Sequence, residues 1–188
     1  VLESPNGLVT IVGGKLTTYR RMAQDTLDVL NRRDGSAVLH PTQALPLQGS
    51  AGWPKAELEI KSRAATLGLK SQTAQHLGHS YGAEALAVLD LVERDSSLAQ
   101  LLIDDLPYIW AEVVYACHQE MAMTPYDVLG RRTSITLEDR QRGLGIVDEV
   151  AALMAKELHW LPEQQQVMVE SYRNVIGEQI AAEKSIVS

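Results

Sequence analysis

One β-branched run, Leu8-Val9-Thr10-Ile11-Val12, stands alone in a chain whose other apolar residues recur at every third or fourth position. Strand backbones must hydrogen-bond to neighbours, so one strand cannot complete a sheet by itself. The sequence therefore predicts an all-α protein in which residues 1–16 are an orphan piece of a larger sheet. A turn signal, Pro5-Asn6-Gly7, precedes the run, and Gly13-Gly14 ends it. Thr17 or Thr18 then caps a helix whose inner positions are Tyr19, Met22, Ala23, Thr26, Leu27 and Leu30. Strand, glycine turn and helix together fill residues 1–33.

Residues 34–54 read as a linker, punctuated by Asp34-Gly35, His40-Pro41, Pro46, Gly49, Gly52 and Pro54. From 55 to 188 the pattern predicts a helical domain. Helices are expected over 55–67, 71–79 and 84–93, with a break at Tyr81-Gly82 and a loop around 104–107. Trp110, Val113, Val114, Cys117 and Met121 put one apolar stripe on the next helix. Thr124 at the N-cap and Pro125 at the first helical position open a short helix to Gly130. A helix over 145–159 follows. Pro162 starts the last one, with Val169, Tyr172, Val175, Ile176 and Ile180 facing inward.

The composition suits that architecture. A chain of 188 residues with three Trp, six Tyr and no Phe must fill its core with aliphatic side chains, which favours helix packing. A formal net charge of −7 argues against a nucleic-acid surface and against a polybasic membrane anchor. Cys117 is the single cysteine, so no internal disulfide can form, which fits a reducing, cytoplasmic setting. In its helical apolar context it reads as buried packing rather than a nucleophile. No apolar run is long enough to cross a bilayer, and the first residues do not look like a signal peptide. The chain starts at Val1 without a methionine, which points to a fragment.

The stretch Gly13-Gly14-Lys15-Leu16-Thr17-Thr18 carries the chemistry. Paired glycines let a backbone approach a ligand closely, and the helix start behind them offers unpaired N–H groups of positive character. Lys15 adds a cation at that junction. An anionic ring or a phosphate suits it. Spacing alone also allows a tight turn with a solvated lysine, because neither a P-loop nor a dinucleotide-binding spacing is present.

Residues 6–23, from Asn6 through Gly13-Gly14-Lys15-Leu16-Thr17-Thr18-Tyr19-Arg20 to Ala23, resemble the segment that ends the flavin domain of FAD-dependent glycerol-3-phosphate dehydrogenases. Further similar motifs follow in order. They are Leu45-Pro46-Leu47-Gln48-Gly49, Tyr81-Gly82, Ala111-Glu112-Val113-Val114-Tyr115-Ala116, Glu120 to Thr124, Asp127-Val128-Leu129-Gly130-Arg131-Arg132-Thr133 and Leu158-His159-Trp160. The resemblance implies that residues 13–18 wrap the pyrimidine edge of FAD, with backbone N–H groups near Leu16 and Thr17 on the isoalloxazine. It also implies that Lys15 sits beside flavin and substrate, stabilising charge or attracting the phosphate of glycerol 3-phosphate. The parent enzyme would pass electrons to quinone and associate peripherally with a membrane.

Most of that enzyme's site would lie upstream in the missing N-terminal flavin domain, so the fragment alone is expected to be inactive and to hold no FAD. Residues 1–16 are then expected to be disordered or to pair with something foreign, a second copy making a homodimer being one option. The rival reading is a stand-alone helical interaction module, which expects the same residues to be folded and complete in themselves.

Other candidates read as structural. Arg131 and Arg132 point about 100° apart on a helix and suit pairing with Glu112, Glu120 or Asp127 better than one shared ligand. His76 and His79 are three apart, but no carboxylate or cysteine completes a metal site in sequence. No metal is expected.

Overall fold

The computed structural model describes residues 1–36 and 39–187. Ala37 and Val38 of the expected linker, and Ser188 at the end of the expected helical domain, lie outside the described residues. The chain divides into two compact units, Val1–Leu47 and Gln48–Ser188.

In the first unit the β-branched run has a local partner. Strand β1, Leu2–Glu3, pairs antiparallel with β2, Val9–Thr10, placing Leu2 opposite Thr10 and Glu3 opposite Val9. Pro5-Asn6-Gly7 is the hairpin turn between them: Gly7 takes φ +85°, its N–H donates to the Ser4 carbonyl at 2.8 Å, and the Ser4 N–H donates to the Leu8 carbonyl at 3.0 Å. The run thus pairs within residues 1–16, where disorder or a foreign partner was expected, though two residues per strand is far below what stabilises a free hairpin. Helix α1, Tyr19–Arg33, follows, and the Arg33 guanidinium returns to the Gly7 carbonyl at 2.9 and 2.8 Å. None of the described residues of this unit is a buried hydrophobe, and Val12 and Leu16 are 78% and 90% exposed. The hairpin is paired but has no core.

The second unit is helical. Helices α2 (Trp53–Thr66), α3 (Ser71–Tyr81) and α4 (Ala85–Arg94) each bury residues at three-four spacing: Ala56, Ile60 and Ala64 on the first, Ala74, Leu77 and Tyr81 on the second, and Ala85, Val88, Leu89 and Val92 on the third. Helix α5, Trp110–Gln119, is walled in on nearly every side. Its Ala111 and Tyr115 join the α2–α4 core, whereas Val113, Ala116 and Cys117 join a second core. That second core is completed by a π-helical turn (Asp127–Arg132), α6 (Ile135–Glu138), α7 (Val147–Leu158) and α8 (Pro162–Val187). On α8, Val169, Tyr172 and Ile176 are buried, as their spacing predicts.

Two local expectations change. Helix α5 stops at Gln119, so Met121 leaves the apolar stripe: it adopts φ +56° and is 83% exposed. Ala122 takes the inward place, its N–H donating to the Ala116 carbonyl at 2.9 Å. The helix opened by Thr124-Pro125 widens into the π turn and runs past Gly130 to Arg132, where the Thr133 N–H reaches the Val128 carbonyl at 2.9 Å.

The break at Tyr81-Gly82 has a steric cause. Gly82 (φ +58°) abuts Gly49, whose carbonyl accepts the Ala83 N–H at 2.8 Å, and a Cβ on residue 82 would fall 2.3 Å from that oxygen. Gly82→Ala is therefore expected to destabilise the chain by about 1–3 kcal/mol, read from the midpoint of urea unfolding. An unchanged midpoint would mean that the close approach relaxes freely.

Candidate functional site

The glycine turn ahead of α1 brings the sequence-selected residues onto one exposed loop. Gly13 and Gly14 take φ +87° and +101°, which L side chains rarely adopt. A Cβ on Gly14 would fall 2.1 Å from Met22 Sδ, a side-chain end that can move aside, so its φ is what calls for glycine, whereas a Cβ on Gly13 would meet nothing within 4 Å. Lys15 is extended, and Leu16–Thr18 form a 3₁₀ turn. The Thr18 hydroxyl accepts from the Lys15 N–H and donates to the Lys15 carbonyl, each at 2.9 Å. That locks the turn and uses up Thr18. The N–H groups of Leu16 and Thr17 belong to a first helical turn, where no intrahelical acceptor exists, and the helix dipole makes them positive. Among the described residues no ion pair engages Lys15. The loop is therefore an exposed cluster of donors with one unpaired ammonium, suited to an anionic or acceptor-rich ligand edge.

A second constellation was not visible in the sequence. Glu112, 1% exposed, accepts three hydrogen bonds: from His76 Nε2 at 2.7 Å, from the Tyr81 hydroxyl at 3.0 Å and from the Ile109 N–H at 2.8 Å. The last is helix capping, since Glu112 stands in the first turn of α5 and reaches back over it. Burial first, and then the Glu112 charge, drive the Tyr81 phenol far above its ordinary range. The His76 ring also meets Tyr108 edge-on, with centroids 4.7 Å apart. This node ties α3 to the start of α5 inside one core. A Glu in the first turn is the one sequence signal for it. Its partner 36 positions away has none.

The arginine pair separates as its spacing predicts. Arg131 pairs with Asp127 and lies over the Tyr126 ring, 5.0 Å from its centroid. Arg132 Nη2 donates to the Glu120 carbonyl at 2.5 Å, with its Nε 3.6 Å from the Glu120 carboxylate. Glu112 goes to His76 instead of to either arginine. Cys117 is buried and free, and burial, helped by Glu157, pushes its thiol up to about 11. Thiolate is then scarce at pH 8, so labelling by a disulfide reagent is expected to run on the order of a hundredfold slower in the folded chain than in urea. Equal rates would place the thiol in contact with solvent.

Comparison with known proteins agrees with the helical architecture. A family model described as the C-terminal domain of alpha-glycerophosphate oxidase matches residues 40–165, and the chain belongs to that family. Particular relatives are glycerol-3-phosphate dehydrogenases. The protein of that name from Synechocystis is 33% identical over 179 residues, covering 94% of this chain and 32% of the relative. The mitochondrial glycerol-3-phosphate dehydrogenase of Homo sapiens is 34% identical over 179 residues, covering 92% of this chain and 24% of the relative. The crystal structure of the glycerol-3-phosphate dehydrogenase from Bacillus halodurans, complexed with FAD, aligns with a TM-score of 0.71 at 26% identity, over 93% of this chain and 36% of that one. The chain thus spans about a third or less of these relatives' length.

Proposed function

We propose that this chain is the C-terminal part of an FAD-dependent glycerol-3-phosphate dehydrogenase, which oxidises glycerol 3-phosphate to dihydroxyacetone phosphate and hands the electrons to quinone. The observation that carries the reading is the donor-rich turn at residues 13–18, ordered and exposed, in a chain whose relatives at 33–34% identity bear that name. The turn fits a flavin edge. Gly13 leaves open space where a Cβ would stand, and the first-turn N–H groups of Leu16 and Thr17 can meet acceptors on a planar ring.

Accepting a hydride from C2 of the substrate is the chemistry FAD supplies when bound. Gly13 and Gly14 let the backbone come close, and the N–H groups of Leu16 and Thr17 hold the ligand edge. Lys15 stabilises negative charge that develops beside the turn and draws in the substrate phosphate. The exposed hydrophobes of the first unit, Val12 and Leu16 among them, supply a surface for the flavin domain to cover. Among the described residues no helix is long and apolar enough to cross a membrane. Peripheral association of the parent with a membrane, from the cytoplasm, is proposed on the family resemblance. The 188-residue chain alone lacks the rest of the site and is inactive under this reading.

The test uses the gene-length protein. Its flavin absorbance is expected to bleach when glycerol 3-phosphate is added without an acceptor, and to return when a soluble quinone follows. A purified protein without flavin, or a flavin indifferent to that substrate, would overturn the reading.

A further inference from the structure

Helices α4 and α7 both pack on α5, and between them a cleft of ≈ 550 Å³ stays open. That volume lies within the range of small-molecule sites. Its floor is one stripe of α5, Trp110, Val114 and His118, at four-residue spacing. Leu98 and Leu153 supply apolar walls, and both are only half-buried, as Trp110 is.

The charges are unevenly engaged. Asp95 is occupied by Ser97, accepting from its N–H at 3.0 Å and its hydroxyl at 2.6 Å. Glu157 is occupied by His118 Nε2 at 3.0 Å, a contact that fixes the C-terminal end of α5 to that of α7. Arg94 and Lys156 line the same cleft; no ion pair engages either among the described residues, although the Lys156 charge is near enough to help lower the Asp95 carboxyl. Lys156 is the neighbour of Glu157, and Arg94 shares a smaller adjoining hollow with His118, so both unpaired cations stand at this end. Glu149, also in the lining, is seven residues earlier on α7, about 10 Å along the axis toward the other end.

We propose that this cleft binds an amphipathic anion with a single charged head. The apolar body lies along Trp110, Val114 and Leu153. The head, a carboxylate, sulfonate or phosphate monoester, sits between Arg94 and Lys156. Glu149 repels a second anionic group at the far end, so the site selects against molecules charged at both ends. The proposal is independent of the flavin reading, because no part of the glycine turn takes part in it.

Calorimetric titration of the 188-residue chain with decanoate tests it, with sebacate, the ten-carbon dicarboxylate, as comparison. Decanoate is expected to bind, and sebacate to bind on the order of tenfold more weakly. Arg94→Glu and Lys156→Glu are each expected to weaken decanoate on the order of tenfold, while Lys55→Glu on α2, the same charge change elsewhere, leaves it unchanged. Glu149→Gln is expected to recover sebacate. These side chains are exposed, so the variants keep the fold. No heat from decanoate would overturn the proposal, as would equal weakening by Lys55→Glu and Lys156→Glu. Binding confined to vesicles of phosphatidic acid, with none to free decanoate, would also overturn it in favour of attraction to a charged surface.

Discussion

Glu112→Ala is expected to remove about 3–5 kcal/mol of stability, the combined cost of stranding buried hydrogen-bond donors and leaving a void. The carboxylate holds His76, the Tyr81 hydroxyl and the Ile109 N–H together inside a core. Alanine leaves all three without an acceptor and opens a void beside them. The loss is read from urea unfolding of the whole chain, as a shift of midpoint at constant slope. Glu112→Gln keeps the shape and part of the hydrogen bonding, so its loss is expected to be smaller. A loss below about 1 kcal/mol for alanine would mean that water enters and replaces the carboxylate.

Lys15→Met in the gene-length enzyme is expected to slow flavin reduction by glycerol 3-phosphate on the order of 10²–10³-fold, the usual cost of removing one group aimed at developing charge. Flavin content is expected to hold, because under the proposed reading the turn binds through backbone N–H groups, which survive the substitution. Stopped-flow bleaching at saturating substrate isolates the charge effect, and its dependence on substrate concentration reports phosphate attraction. An unchanged rate would reduce Lys15 to a solvated residue on a tight turn while leaving the parent's activity intact.

Much of the helical unit was legible from periodicity. α2, α3, α7 and α8 begin or end within a few residues of their capping and proline signals, and Val169, Tyr172 and Ile176 face inward as their spacing demands. The strand partner Leu2–Glu3 was not legible, because two residues carry no period. Met121 misled because its spacing continues a stripe whose helix has already ended. The glycine turn was legible as a unit, since its residues are contiguous. The Glu112 node and the cleft on α5 were not, since each joins residues from separate helices that only tertiary packing brings together.

The position of α5 makes the helical unit hard to take apart. Ala111 and Tyr115 belong to one core and Val113, Ala116 and Cys117 to the other, so a single helix is a wall of both. Opening either side strips half of α5 of its packing and weakens the opposite side with it. The two halves are therefore expected to share one cooperative opening, so that backbone amides as far apart in sequence as those of α2 and α7 exchange with solvent at matching rates.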